Sequence, residues 1–98
     1  MDAAAPFDDA DDVLAVAERW MNEGRDFAIA TIVAGESASV GRRMIVDAEG
    51  TVFGRLGRDP IEAAAQAQAE AVIGSGEPAL LDIGLPEGHA RLYVERMG

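Results

Sequence analysis

Cysteine is absent from this 98-residue chain. Its absence excludes disulfides, Cys-ligated zinc, iron–sulfur clusters and thiolate catalysis within the chain, and is compatible with a reducing cytoplasm. Lysine is absent too, so all eight basic residues are arginine. With so much alanine and glycine around them, that usage looks like GC-rich coding bias rather than eight chosen guanidinium sites. Positive charge is scarce: the net charge of −10 argues against general nucleic-acid or anionic-membrane binding. No apolar run is long enough for a membrane span, and the N-terminus, MDAAAPFDDADD, is acidic where a signal peptide needs positive charge. The expectation is a cytoplasmic protein with neither a membrane nor a nucleic-acid partner.

Present in their place are the ingredients of one small globular domain. The length suits a single core, the hydrophobic fraction is 49%, and the charged fraction of 27% does not suggest disorder. We take residues 1–98 as one domain, with 1–8 a loose lead-in. Charge is unevenly spread. Residues 1–26 carry eight acids against Arg19 and Arg25, whereas residues 41–58 carry Arg42, Arg43, Arg55 and Arg58 against Asp47 and Glu49.

The stretch Gly54–Gly76, GRLGRDPIEAAAQAQAEAVIGSG, organises the chain: a strand end, a tight loop and a long helix. Asp59 suits an N-cap, Pro60 the first helical position and Glu62 the third, which together make a capping box. The alanine-rich interior has no helix breaker up to Ile73, and Gly74, Gly76 and Pro78 stop it. Ile61, Ala65, Ala69, Val72 and Ile73 share one narrow face, which suits close packing on a sheet.

Around this helix the pattern predicts six further elements. A helix over Asp9–Glu23 follows from Val13, Val16, Ala17 and Trp20, with Leu14 and Met21 widening the stripe. The aspartates Asp8, Asp9, Asp11 and Asp12 at its start favour the helix dipole, and they lack the glycine turn and distal glutamate of a calcium loop. Trp20 and Met21 read as core or interface residues. Phe27–Val33, FAIATIV, reads as a central strand covered on both faces. A polar loop, Gly35–Gly41, comes next. Strands over Arg43–Asp47 and Thr51–Arg55 form a hairpin around Ala48-Glu49-Gly50, with Gly50 left-handed. That register sets Asp47 opposite Thr51, Ile45 opposite Phe53 and Arg43 opposite Arg55. Two like charges face to face call for an acid, or a bound anion, nearby. Strands over Ala79–Ile83 and Ala90–Arg96, joined by the turn Gly84–Gly88, complete an α+β domain of order α-β-β-β-α-β-β. The expected architecture is two-layered, a mixed sheet with two helices packed on it.

Little in the sequence carries chemistry. His89, the single histidine, reads as a surface turn residue with no metal-site spacing around it, and Ser37 and Ser39 lack a nucleophile elbow. No acid–base pair or nucleophile stands out, so no enzyme is expected. The candidate that remains is anion binding at the head of the central helix, where Arg42, Arg43, Arg55, Gly57 and Arg58 collect near free N–H groups. Asp59 as N-cap would compete with such an anion, and neither GxxxxGK nor GxGxxG is present.

The order of motifs resembles the N-terminal domain of the XdhC/CoxI family, accessory proteins for maturation of molybdenum hydroxylases such as xanthine dehydrogenase and aerobic CO dehydrogenase. Family members read as an amphipathic helix, a strand such as ALATVV, then GSAPRPxG, a hydrophobic strand and a D-x-x-G turn. GSxSGGCxE entering a helix, a G-x-P-x-L-L strand and CGG before a strand ending near VE follow. Here Phe27–Val33 matches the first strand, Ser37-Ala38 and Val40-Gly41 a shortened first loop, and Met44–Asp47 through Gly50 the strand and turn. Gly54 and Glu62 bracket the SGGC position, Gly76–Leu81 matches the next strand, and Leu92–Glu95 the last. Gly57-Arg58-Asp59-Pro60 stands in place of SGGC, Glu87-Gly88-His89 in place of CGG, and the Pro-Arg-Pro portion is missing.

The resemblance implies a non-catalytic, protein-binding accessory domain with its cofactor loops rewritten. It implies as partner a molybdenum hydroxylase or a full-length family member, with a homodimer as another way to cover apolar surface on both faces of the hairpin. The alternative it leaves is a small-ligand module binding an anionic cofactor such as molybdopterin through the arginine-lined loops.

Overall fold

The computed structural model describes residues 9–37 and 39–97; the lead-in at 1–8 and Ala38 of the first loop lie outside the described residues. The elements are α1 (Asp9–Asn22), β1 (Phe27–Ala34), β2 (Arg43–Asp47), β3 (Val52–Gly54), α2 (Asp59–Ser75), β4 (Ala79–Leu85) and β5 (Gly88–Met97). This is the α+β class and the element order that the sequence implies. In space the strands run β3-β2-β1-β5-β4, so the apolar run Phe27–Ala34 takes the centre, where both faces are covered.

Two features of the expected architecture are corrected. The sheet is antiparallel at every pairing rather than mixed. The long connection through α2 does relate two strands in a parallel sense, but those strands are β3 and β4, at opposite edges, and they never meet. The helices also lie on opposite faces, giving three layers instead of two. Ala28, Ala30 and Ile32 of β1 point with Met44 and Val46 toward Ile61, Ala65, Ala69 and Val72 of α2. Phe27 and Ile29 point with Ile45 toward Val13, Ala17 and Trp20 of α1. The two-residue repeat of a strand sorts one continuous apolar run into two separate cores.

The β2–β3 hairpin keeps the expected register, with Ile45 opposite Phe53. Gly50 is left-handed at φ 88°. Asp47, only 6% exposed, holds the turn: its Oδ1 accepts from the N–H of Glu49 at 2.9 Å and of Thr51 at 2.8 Å. The Arg25 guanidinium approaches the same carboxylate at 3.6 Å and lies 4.6 Å from the Trp20 ring centre. Trp20 meets Phe27 edge-on at 5.4 Å and belongs to the core, while Met21 and Leu14 are exposed and do not widen the buried stripe. The expected apolar excess of the hairpin is mostly absorbed. Met44, Ile45 and Val46 are buried between the helices, and only Val52 and Phe53 at the short edge stay exposed.

The β4–β5 hairpin is tighter than its sequence suggests. Leu85 pairs with Gly88 across a two-residue turn, Pro86-Glu87, and His89 lies within the strand opposite Gly84 instead of on the turn.

Two glycines make opposite predictions. Gly54 has φ 94°, and a Cβ there would lie 2.7 Å from both the Arg43 carbonyl oxygen and Val13 Cγ2. Gly54→Ala should therefore cost about 2–5 kcal/mol through backbone strain and overpacking. Gly74 sits inside α2 with open space around it, and Gly74→Ala should stabilise by about 0.5–1 kcal/mol. Urea unfolding midpoints of the two variants check both signs.

Candidate functional site

The loop between β3 and α2 forms differently from a capping box. The N-cap is Arg58, with no side-chain capping bond, and Asp59 is the first helical residue, with Pro60 behind it. One turn on, the Glu62 carboxylate reaches back over the loop. Its Oε2 accepts from the N–H of Leu56 at 2.9 Å, the N–H of Gly57 at 3.1 Å and the Arg55 Nε at 3.1 Å. Gly57 takes φ 97°, which helps to turn two successive N–H groups toward one oxygen. Such a pair of amides is an anion cradle, and the chain's own carboxylate fills it. Burial works against the Glu62 charge, but the N–H of Gly57, the Arg55 guanidinium and the N–H of Leu56 outweigh it and hold the carboxyl below its ordinary range.

Of the five residues expected to bind an anion, Arg42, Arg55 and Gly57 lie about one loop, while Arg43 and Arg58 turn elsewhere. Arg55 is engaged by Glu62. Its expected opposition to Arg43 does not arise, because the ladder ends at Met44–Gly54 and Arg43 instead lies opposite Thr31 of β1. The acid expected beside that pair meets one member only: Glu62 binds Arg55. By strand alternation Arg43 follows Ile45 to the α1 face, away from α2. The Arg42 guanidinium lies beside Gly57, within 3.7 Å of where a Cβ would stand. Arg58 leaves the loop in another direction and binds Glu87 of the β4–β5 turn.

That last pair marks one wall of a cleft of about 400 Å³. Three loops converge on it: Gly35, Glu36 and Ser39 after β1, Arg58 before α2, and Glu87, Gly88 and His89 around the β4–β5 turn. They are the three loops at which the sequence differs from the motifs of the family it resembles. Ile61, Leu85 and Ala90 give the cleft an apolar floor. Gly35 is needed on the opposite wall, since a Cβ there would stand 3.2 Å from Ala90 Cα at φ 135°. The hydrogen bond and charge of Glu87 raise the Arg58 pKa, with a further contribution from Glu36, and the same bond lowers that of Glu87. Two acids, Glu36 and Glu87, line the cleft against one arginine, Arg58. The backbone cradle is filled by Glu62, and the arginine that lines the cleft is paired with Glu87. A second concavity, of about 370 Å³ between the β2–β3 turn and the end of α2, carries Asp47, Glu49 and Glu70 and no arginine. Among the described residues, no three His, Asp or Glu side chains cluster as metal ligands would.

A second kind of surface lies on the sheet. α1 packs across β2 and β3, and the same face over β4 and β5 has no helix among the described residues. Leu80, 57% exposed, stands opposite Tyr93 there, beside the Asp82–Arg91 ion pair. Val33, the extra residue of a β-bulge between β1 and β5, is exposed as well.

Sequence reasoning placed Glu62 in a cap and missed its role as loop anchor. The available signal was a pair of glycines, Gly54 and Gly57, shaping the loop within reach of an acid one helical turn on. The Arg58–Glu87 contact spans 29 residues, and no local pattern announces it.

The anchor makes a pH-dependent prediction. A depressed folded-state pKa stabilises fully above the unfolded carboxylate pKa, about 4.3, and the stabilisation is lost as pH falls through the folded value. Glu62→Gln should therefore cost about 1–2 kcal/mol at neutral pH, the difference between charged and neutral acceptors. The gap should close on acidification, as the native carboxyl becomes protonated. Denaturant titrations at a series of pH values measure it.

The XdhC and CoxI family matches residues 20–84, which span β1 to β4 and two of the three cleft loops. Among solved structures, a protein described as a xanthine dehydrogenase from Bacillus halodurans superposes with a TM-score of 0.67 at 16% identity. The superposition covers 92% of this chain and 30% of that one, so this chain spans less than a third of its length. At that identity the likeness shows the fold alone. No curated protein sequence matches significantly. With the family match extending over most of its length, the chain belongs to the XdhC and CoxI family.

Proposed function

We propose that this domain is a non-catalytic accessory factor in the maturation of molybdenum hydroxylases, docking a protein partner on the half of the sheet that α1 leaves open. The observation that carries this reading is Leu80, a large aliphatic side chain more than half exposed, next to Tyr93 on a sheet face with no helix over it. Aromatic and aliphatic side chains presented together, with an ion pair at their border, have the make-up of an interface core with a polar rim. Family membership supports the maturation context and supports a protein as the partner: a molybdenum hydroxylase subunit or a longer family member.

Binding of an anionic cofactor through Arg42, Arg43, Arg55, Gly57 and Arg58 has less support. Arg55 and Arg58 are already paired with Glu62 and Glu87. Releasing them would leave one or both of those acids facing the incoming anion.

Affinity co-purification from native cells, with mass spectrometry of what is retained, tests the docking reading. Wild-type protein should bring down a molybdenum hydroxylase subunit or a longer family member. Leu80→Asp should lose it with little change in melting temperature, because the side chain is exposed and makes a small contribution to the core. Equal recovery by both proteins, or recovery of neither kind of partner by the wild type, contradicts the reading.

A further inference from the structure

β4 is an unguarded edge. Among the described residues it pairs with β5 alone, so along its outer side alternate N–H and C=O groups point away from the sheet. The opposite edge, β3, is only three residues long and stops at the positive-φ Gly54. β4 runs for seven residues without proline, arginine or bulge, and its one charge, Asp82, is already bound to Arg91 at 2.9 Å. Charges, prolines and bulges are the usual means of keeping an edge from pairing.

The side chains point the same way. On the α2 face Ala79, Leu81, Ile83 and Leu85 form a row that is only partly buried, although Ala90, Leu92 and Val94 on the neighbouring β5 are fully buried. The core above α2 is unfinished along this edge. One further strand beside β4 would cover the row and take up the backbone groups at once.

We propose that this strand is β4 of a second copy, antiparallel, joined across a two-fold axis at Ile83 into one ten-stranded sheet. Side-chain and charge complementarity select both the occupant and the register. With the axis at Ile83, Leu81 stands opposite the partner's Leu85 and Asp82 opposite the partner's Gly84. The large apolar side chains of the row, Leu81, Ile83 and Leu85, then meet one another, and no two like charges face each other. An axis at Asp82 would set two aspartates directly opposite, which is unfavourable. An axis at Leu81 would set the large Leu85 against the partner's Glu77, whereas the axis at Ile83 sets only the small Ala79 against a glutamate, Glu87. A two-fold normal to the sheet keeps both α2 helices on one face, so the two half-covered rows merge. The arrangement also reaches the cleft: Leu85 and Glu87 line it, and the partner's Leu81 and Ala79 would stand beside them.

A chain without cysteine allows a direct test on the purified protein, independent of any maturation partner. Only a residue on the axis faces itself. In an antiparallel pair the two Cα atoms are then about 4.5–5.5 Å apart, inside the disulfide range of about 4.4–6.8 Å. Ile83→Cys should give mostly covalent dimer on mild oxidation at low micromolar concentration. Leu80→Cys, although more exposed, should stay mostly monomeric, because six strand steps separate it from its own copy, roughly 20 Å. Sedimentation of the unsubstituted protein should give a dimer mass, and melting curves should show both variants folded. A monomer mass for the unsubstituted protein overturns the proposal. Equal cross-linking at the two positions, or cross-linking at Leu80→Cys alone, overturns it as well.

Discussion

The Glu62 carboxylate is the contact on which the functional end of this domain depends. One oxygen collects two backbone N–H groups and a guanidinium, and so fixes the path from the end of β3 into α2. Hydrogen bonds to an ionised acceptor are about twice as strong as neutral ones, and the carboxylate is half-buried, where solvent weakens them less. Because the loop is fixed, Arg58 emerges at the N-cap, where it can reach Glu87. Because Arg58 and Glu87 meet, the β4–β5 turn and the head of α2 close one side of the cleft. Without the Glu62 anchor, the same loop would present two free amides and two arginines, the make-up of an anion site.

The scaffold behind this loop follows from periodicity. The apolar run Phe27–Ala34 belongs at the centre of the sheet, the face Ile61–Ala65–Ala69–Val72 belongs against it, and Gly50 sets the hairpin register. These features were legible because each is written in a few consecutive residues. The side of the sheet that each helix covers was not. An amphipathic helix says that it has one buried face and nothing about which sheet face receives it. The absence of parallel pairing was hidden for a related reason, since it depends on where β4 is placed in space and not on its sequence. At the site the limit was sharper. Asp59, Pro60 and Glu62 fit a capping box by type and spacing, but the helix starts one residue earlier than that box requires, and Glu62 is free to serve the loop instead.

On the docking proposal, what the domain offers to other molecules is more a protein surface than a ligand cradle. Its cleft is apolar at the floor, acidic at the rim and internally paired. α1 covers one half of its sheet face and leaves Leu80 and Tyr93 uncovered on the other. Rewriting the glycine- and cysteine-bearing loops while retaining the sheet would change what a domain of this kind binds and leave how it folds unchanged. The same sheet supplies both the open face and the free edge at β4, and the two surfaces do not compete for the same side chains.

The most direct measurement is of the Leu56 and Gly57 amide resonances by nitrogen-15 NMR while inorganic pyrophosphate is titrated into the protein. The account predicts that both resonances stay in place at neutral pH, because Glu62 already holds their N–H groups, and that both shift together with the Glu62 carboxyl when the solution is acidified. Saturable shifts of Leu56, Gly57 and Arg58 with pyrophosphate at neutral pH would contradict it and restore the head of α2 as an anion site.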